Sequence, residues 1–200
     1  NKYVPLIIRE QDRISVKNQI ARQAVSLISE GSTIFLDGSS TVLCMVNYLR
    51  DEQNITVITN SLRVATRLCE KRIDVYCTGG KLVPEALVCV GPYSETMIES
   101  MTADLMFFSS QGLSADGKIS DFSESETCQR RQMLQHARKR YFLCDSSKLG
   151  KSFLFTVCRT SDIDGVISDI DVSEWLESGS LPAQQAGGTA NASSVIMPGS

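Results

Sequence analysis

The sequence holds a single histidine, His136, a single tryptophan and no Cys-x-x-Cys pair. One histidine with no matched cysteine gives little support to a catalytic triad or a histidine-dependent metal site. The seven cysteines, Cys44, Cys69, Cys77, Cys89, Cys128, Cys144 and Cys158, are scattered and lack zinc spacing. No apolar run reaches membrane-spanning length and no signal peptide opens the chain, so neither a membrane nor an export route is expected. An excess of positive charge is also missing. Twenty Lys and Arg stand against 23 Asp and Glu, for a net charge of -3, which argues against a stand-alone nucleic-acid binder.

What is present is ordinary globular composition over 200 residues, 42% hydrophobic and 22% charged, enough for one domain with its own core. Most cysteines stand in apolar stretches such as Val75-Tyr76-Cys77 and Phe142-Leu143-Cys144. That context predicts buried, reduced thiols and a reducing cytoplasm. The first residue is not Met, and a fragment of a longer chain is expected.

Residues 1–12 read as an extended lead-in. From residue 15 the period becomes helical, with Ile20, Ala21, Ala24, Val25, Leu27 and Ile28 on one face and Gly31 as the stop. Short apolar strands then alternate with helices. Strands are predicted at 34–36, 55–59, 73–77, 104–108, 141–144 and 165–167. Helices are predicted at 42–49, 61–70, 92–100 and 124–138, with a short one around Trp175. This pattern predicts an α/β fold, a mostly parallel sheet with helices on both faces. One domain is expected over 15–177, preceded by a lead-in at 1–14. Residues 178–200 carry no charge, are low in complexity, and read as a free tail.

In open parallel sheets, ligands bind where loops leave the carboxyl ends of strands. Asp37-Gly38-Ser39-Ser40-Thr41 stands between a strand and a helix, with hydroxyls and backbone N–H groups that suit a phosphate, or simply a helix cap. Asn60-Ser61 is either a turn or a reader of sugar hydroxyls. Gly79-Gly80 would let a backbone pass close to a ligand, and also makes ordinary turns. Lys148, in Asp145-Ser146-Ser147-Lys148, would supply a cation, and Gln111-Gly112 a further lining loop. Glu126 opens the long helix, where a carboxylate stabilises the helix start or binds hydroxyls. The basic stretch His136-Ala137-Arg138-Lys139-Arg140 reads as a solvated helix end.

In order and spacing, these loops resemble the C-terminal sensor domain of the DeoR family of bacterial repressors, from about residue 17 to 169. Lys17-Asn18-Gln19-Ile20-Ala21 looks like the family's Lys-x-x-Ile-Ala opening. Asp37-Gly38-Ser39-Ser40-Thr41, Val57-Ile58-Thr59-Asn60-Ser61 and Thr78-Gly79-Gly80-Lys81-Leu82 resemble its successive strand-end loops. Glu126 with Arg131-Gln132-Met133 fits its long helix, and Asp145-Ser146-Ser147-Lys148-Leu149-Gly150 its Asp-Ser-Ser-Lys-Phe-Gly loop. Ser39 stands where the family more often has Gly, and Ser110-Gln111-Gly112 replaces a Gly-x-x-Gly.

The resemblance implies a fold similar to ribose-5-phosphate isomerase, glucosamine-6-phosphate deaminase and the CoA-transferases. It implies a homo-oligomeric, non-enzymatic sensor of a phosphorylated sugar or related metabolite. Operator DNA would be met only through a helix-turn-helix domain N-terminal to this chain, and no cofactor is implied. Two other readings stand beside it: a sugar-phosphate isomerase with Asp37, Glu126 and Lys148 as its acid-base groups, and an oligomerisation module with a vestigial pocket.

Overall fold

The computed structural model describes residues 4–178 and 194–196. A seven-stranded sheet forms its centre. The parallel strands are β1 (Thr33–Leu36), β2 (Thr56–Thr59), β3 (Asp74–Cys77), β6 (Ala103–Phe108), β9 (Ala137–Cys144) and β11 (Gly165–Ser168). The seventh, β12 (Ser194–Ile196), lies antiparallel to β11 at one edge. The spatial order is β12-β11-β9-β6-β1-β2-β3.

The strand periodicity explains why both faces are covered. Ile34 and Leu36 of β1, with Leu105 and Phe107 of β6, enter one core. That core is closed by Ile20, Ala21 and Ala24 of α2 (Ile14–Val25), by α3 (Ser40–Met45), and by Val64 and Leu68 of α4 (Leu62–Glu70). Phe35, Met106 and Phe108 point the other way. They meet Ile98 of α5 (Pro92–Glu99), Met133 and Leu134 of α6 (Glu124–Gln135) and Trp175 of α7 (Ser173–Ser178). Each such large side chain, fully buried, stabilises the fold by about 1.5–3 kcal/mol. Two small antiparallel sheets flank the large one. One is the hairpin β4 (Lys81–Val83) with β5 (Val88–Val90). The other is β7 (Gly112–Leu113), β8 (Lys118–Asp121) and β10 (Phe155–Arg159).

Several expectations change. Residues 1–12 are not simply extended, because Leu6–Gln11 forms a helix, α1, anchored by the buried Leu6. The basic stretch is not a helix end. α6 stops at Gln135, and β9 begins at Ala137, in register with Ala103 of β6, so Arg138, Lys139 and Arg140 lie on a strand. The tail is not wholly free, since Val195 pairs with Ile167. Residues 1–3, and 179–193 and 197–200 of the tail, lie outside the described residues. The cysteine expectation holds for Cys44, Cys89 and Cys144, which are buried, whereas Cys69 is exposed.

The topology selects one place for a ligand. From β1 the chain moves outward through β2 to β3, then returns to build β6, β9 and β11 on the other side. The order reverses between β1 and β6. At such a switch point the loops after the two strands diverge and leave a crevice at their carboxyl ends.

Candidate functional site

The loops at this edge share one local device. Asp37 Oδ1 accepts from the Ser39 N–H (3.0 Å), Thr59 Oγ1 from the Ser61 N–H (3.1 Å), and Asp145 Oδ1 from the Ser147 N–H (3.1 Å). Asp121 Oδ1 accepts likewise from the Ser123 N–H (3.0 Å). Each is a short oxygen-bearing side chain closing a turn onto the residue two further on. In three of the four turns the residue reached then caps a helix. Ser39, Ser61 and Ser123 accept from the N–H groups of Val42, Val64 and Glu126.

Behind the loops lies a buried charge hub. Arg130, on α6, donates to Asp37 Oδ2 (2.7 Å), Asp121 Oδ2 (3.0 Å) and Glu126 Oε2 (3.3 Å). Burial opposes the guanidinium's charge, but the three carboxylates outweigh it and drive its pKa upward. Asp37 Oδ2 also accepts from the Ser109 N–H (3.2 Å), which ties the loop after β1 to the loop after β6. The Ser110 hydroxyl reaches Ser120 O (2.7 Å) and Asp121 Oδ2 (3.3 Å).

In front of the hub opens a cavity of about 370 Å³. Five basic side chains line it, Arg9, Lys17, Arg130, Lys148 and Lys151, against two acidic ones, Asp12 and Asp145. Ser39, Ser40, Ser110, Ser147 and Gln111 add hydroxyls and an amide. Lys17 is only 4% exposed. Burial, helped by the nearby charge of Lys148, lowers its pKa. Its ammonium donates to the Arg9 carbonyl at 2.5 Å. Lys148 donates to the Ser109 hydroxyl and stands 3.8 Å from Asp145. Burial would raise the Asp145 pKa, but Lys148, the Ser147 hydrogen bonds and Arg13 together lower it. A confined cationic space with hydroxyl and amide partners can hold a small hydroxylated anion.

Of the residues singled out from sequence, Ser39, Ser40, Gln111 and Lys148 face this cavity. Asp37, Gly38, Asn60 and Glu126 instead line a narrow cleft on the other side of Arg130, where Asn60 Oδ1 is buried without a hydrogen bond. The carboxylates of Asp37 and Glu126 are engaged by Arg130, so the hydroxyl-reading role expected of them is not what their geometry offers. Thr41 is fully buried and does not line the cavity. Ser61 caps α4. Gly79 and Gly80 lie exposed at the entry to the β4–β5 hairpin, away from the cavity.

Gly38 and Gly112 serve packing. Gly38 has no positive φ. A Cβ there would come within 2.1 Å of Val88 Cγ1, and one on Gly112 within 2.4 Å of the Lys151 carbonyl. Sequence reasoning missed Arg130, Asp121, Lys17 and Arg9. The local signals were Lys17 at the head of the family-like Lys-x-x-Ile-Ala opening and the Glu126–Arg130 spacing of four, which sets two opposite charges on one helix face. Among the described residues, no group of three or more His, Cys, Asp or Glu side chains is disposed to hold a metal.

A family model described as the DeoR C-terminal sensor domain matches residues 12–170. The chain is 31% identical over 164 residues to the HTH-type transcriptional regulator GolR of Listeria innocua, covering 82% of this chain and 65% of that protein. It is 32% identical over 171 residues to the lactose phosphotransferase system repressor of Staphylococcus epidermidis, covering 82% and 67%. The chain thus spans about two thirds of the length of these relatives. Among solved structures, the ribose 5-phosphate isomerase of Methanocaldococcus jannaschii superposes with a TM-score of 0.52 at 17% identity, over 69% of this chain and 55% of that one. Translation initiation factor eIF-2B of Pyrococcus horikoshii does so with a TM-score of 0.54 at 14% identity, over 77% and 62%. At these identities the likeness is one of fold alone.

Proposed function

The chain belongs to the DeoR C-terminal sensor-domain family, and from that premise we propose that it senses a phosphorylated sugar or polyol and thereby sets how tightly a transcriptional repressor holds its operator. The observation that carries this reading is the cavity at the switch point. On a chain of net charge -3, the lining brings Arg9, Lys17, Lys148 and Lys151 together with two carboxylates, besides Arg130, whose charge the hub carboxylates already balance. Lys17 and Lys148 would hold the phosphate, with the Ser39 and Ser40 hydroxyls beside them, and Gln111 and Ser110 would meet the hydroxyls. The relatives are named as transcriptional regulators and a lactose phosphotransferase system repressor, which agrees with a role in carbohydrate control. DNA contact would come through a helix-turn-helix domain, within a cytoplasmic homo-oligomer. The seven free thiols fit that reducing setting.

Binding without turnover is favoured over isomerisation. Two of the three acid-base candidates, Asp37 and Glu126, are engaged by Arg130 and do not line the cavity.

A thermal-shift screen against sugar and polyol phosphates tests the reading. A ligand at about 100 times its Kd stabilises by about 2.7 kcal/mol. One phosphate ester should raise the melting temperature, and Lys148→Met should abolish the rise, while Thr41→Ser should keep it because Thr41 is off the cavity. No rise with any phosphate ester in a folded protein, or product formed on incubation, would sink the sensor reading.

A further inference from the structure

Helix α1 stands apart from the cores. Val4, Ile8, Arg9 and Asp12 face the cavity. A second cavity of about 280 Å³ on its other flank is lined by Glu10, Gln11 and, again, Ser40. One side chain of the helix is buried, Leu6, while Ile7 and Ile8 are 64% and 60% exposed. It also packs against α3 and is held by polar ties. The Leu6 N–H donates to Glu85 O (2.8 Å), Glu10 pairs with Arg63 (2.7 Å) and Arg67 (3.7 Å), and Lys17 donates to the Arg9 carbonyl (2.5 Å). Partly exposed ion pairs add little stability, so such a segment opens far below the cost of global unfolding.

The joint between α1 and α2 is built differently. Arg13 is a non-glycine residue at φ 52 and ψ 35. Its guanidinium donates to Ser146 Oγ (2.9 Å) and pairs with Asp169 (3.3 Å) and Asp145 (3.4 Å). The joint is therefore fastened to the loop that carries Lys148.

We propose that α1 is an anion-operated strap: a phosphate group in the cavity clamps α1 onto the sheet edge through Lys17 and Arg9, with Arg13 as the fixed joint. The proposal rests on the reading of the cavity as an anion site and adds the moving part. Lys17 links the two halves of the device, since it lines the cavity and bonds the backbone of α1. A dianion offsets the excess of cations and attracts the Arg9 side chain, so it binds the strapped state more tightly than the open one. Linkage then makes the effect mutual, and loosening α1 must weaken the anion. The helix thereby turns occupancy of the cavity into a change in how the N-terminal end of the chain is held.

Inorganic phosphate is the probe, titrated by calorimetry against chloride at constant ionic strength, with hydrogen exchange followed over residues 5–12. Phosphate should slow exchange in α1 roughly fivefold or more, the lower bound of ordinary coupling. Leu6→Ala and Arg63→Met, neither on the cavity lining, should speed α1 exchange and weaken phosphate binding by a similar factor. If Leu6→Ala fails to fold, Arg63→Met, on a partly exposed side chain, carries the test. Phosphate binding with unchanged α1 exchange, or unweakened binding once α1 is loosened, overturns the strap and leaves the anion site standing. A folded wild type that binds no phosphate overturns both.

Discussion

Two clusters of charge sit side by side at the same sheet edge and are built in opposite ways. Around Arg130, carboxylates outnumber the cation, Arg130 itself is only 3% exposed, and each carboxylate is engaged by the guanidinium. Around Lys17 and Lys148, cations outnumber carboxylates and face open space. The first cluster is matched from within the chain and fastens the loop after β1 and the end of β8 to α6. The second is left with an excess that an outside anion can neutralise. Burying charge inside a fold is costly unless it is paired, so the paired hub around Arg130 belongs to the architecture, whereas the second cluster keeps net positive charge beyond its Lys148–Asp145 pair, charge that an anion would offset.

Removing the centre of the matched cluster should produce the largest effect. Arg130→Met leaves Asp37, Asp121 and Glu126 buried without their counter-ion. Breaking a buried ion pair from one side costs about 3–5 kcal/mol, and urea denaturation should register a loss of that size. Lys148→Met should cost less, because Asp145 keeps Arg13 and the Ser147 hydrogen bonds when Lys148 is removed. A small loss for Arg130→Met, comparable to that for Lys148→Met, would erase the distinction between the clusters.

A smaller effect should come from Gly38, which sits between the Asp37 of one cluster and the Ser39 of the other. An added methyl would overlap Val88 Cγ1, and Val88 is fully buried. Overpacking of this kind costs about 1–3 kcal/mol. Gly38→Ala should therefore lower the urea midpoint, and Val88→Ala in the same chain should recover part of the loss. Failure of the second change to recover any would mean that the constraint on Gly38 is not steric.

The two clusters also differ in how far they were legible in the sequence. The central strands predicted at 34–36 and 104–108 lie at Thr33–Leu36 and Ala103–Phe108, legible because the apolar runs 34–36 and 105–108 are buried on both faces. The hairpin at 81–90 was missed because Lys81 and Leu82 are exposed and its strands have three residues each. The start of β9 was read as helix because Arg138 and Lys139 are exposed, and nothing local marks them as extended. Lys148, Ser39, Ser40 and Gln111 follow strands directly, so the general rule for parallel sheets found them. Lys17 heads the family-like Lys-x-x-Ile-Ala opening and Arg130 stands beside Arg131, both on helical segments where charge is ordinary. What gives them meaning is which loop each faces across the fold, and that is absent from local pattern.

The smallest predicted effect concerns pH and belongs to the open cluster alone. The Asp145 pKa is lowered from 3.8, with burial working against the shift and Lys148, Ser147 and Arg13 producing it. A carboxylate whose folded pKa is depressed contributes stability that is fully present above its unfolded value and is lost as pH falls through the folded one. The wild type should therefore lose this contribution below about pH 3.8, and Asp145→Asn should lack it at every pH. The gap between the two chains should hold steady from pH 5 to 7, above the range in which Asp145 titrates, and close on further acidification, as read from paired urea melts. A gap that widened in acid would mean that the neutral form of Asp145 is the one the fold prefers. In that case Asp145 would supply no counter-charge to Lys17 and Lys148, Asp12 would be the carboxylate left on the cavity lining, and its excess of cations would be larger still.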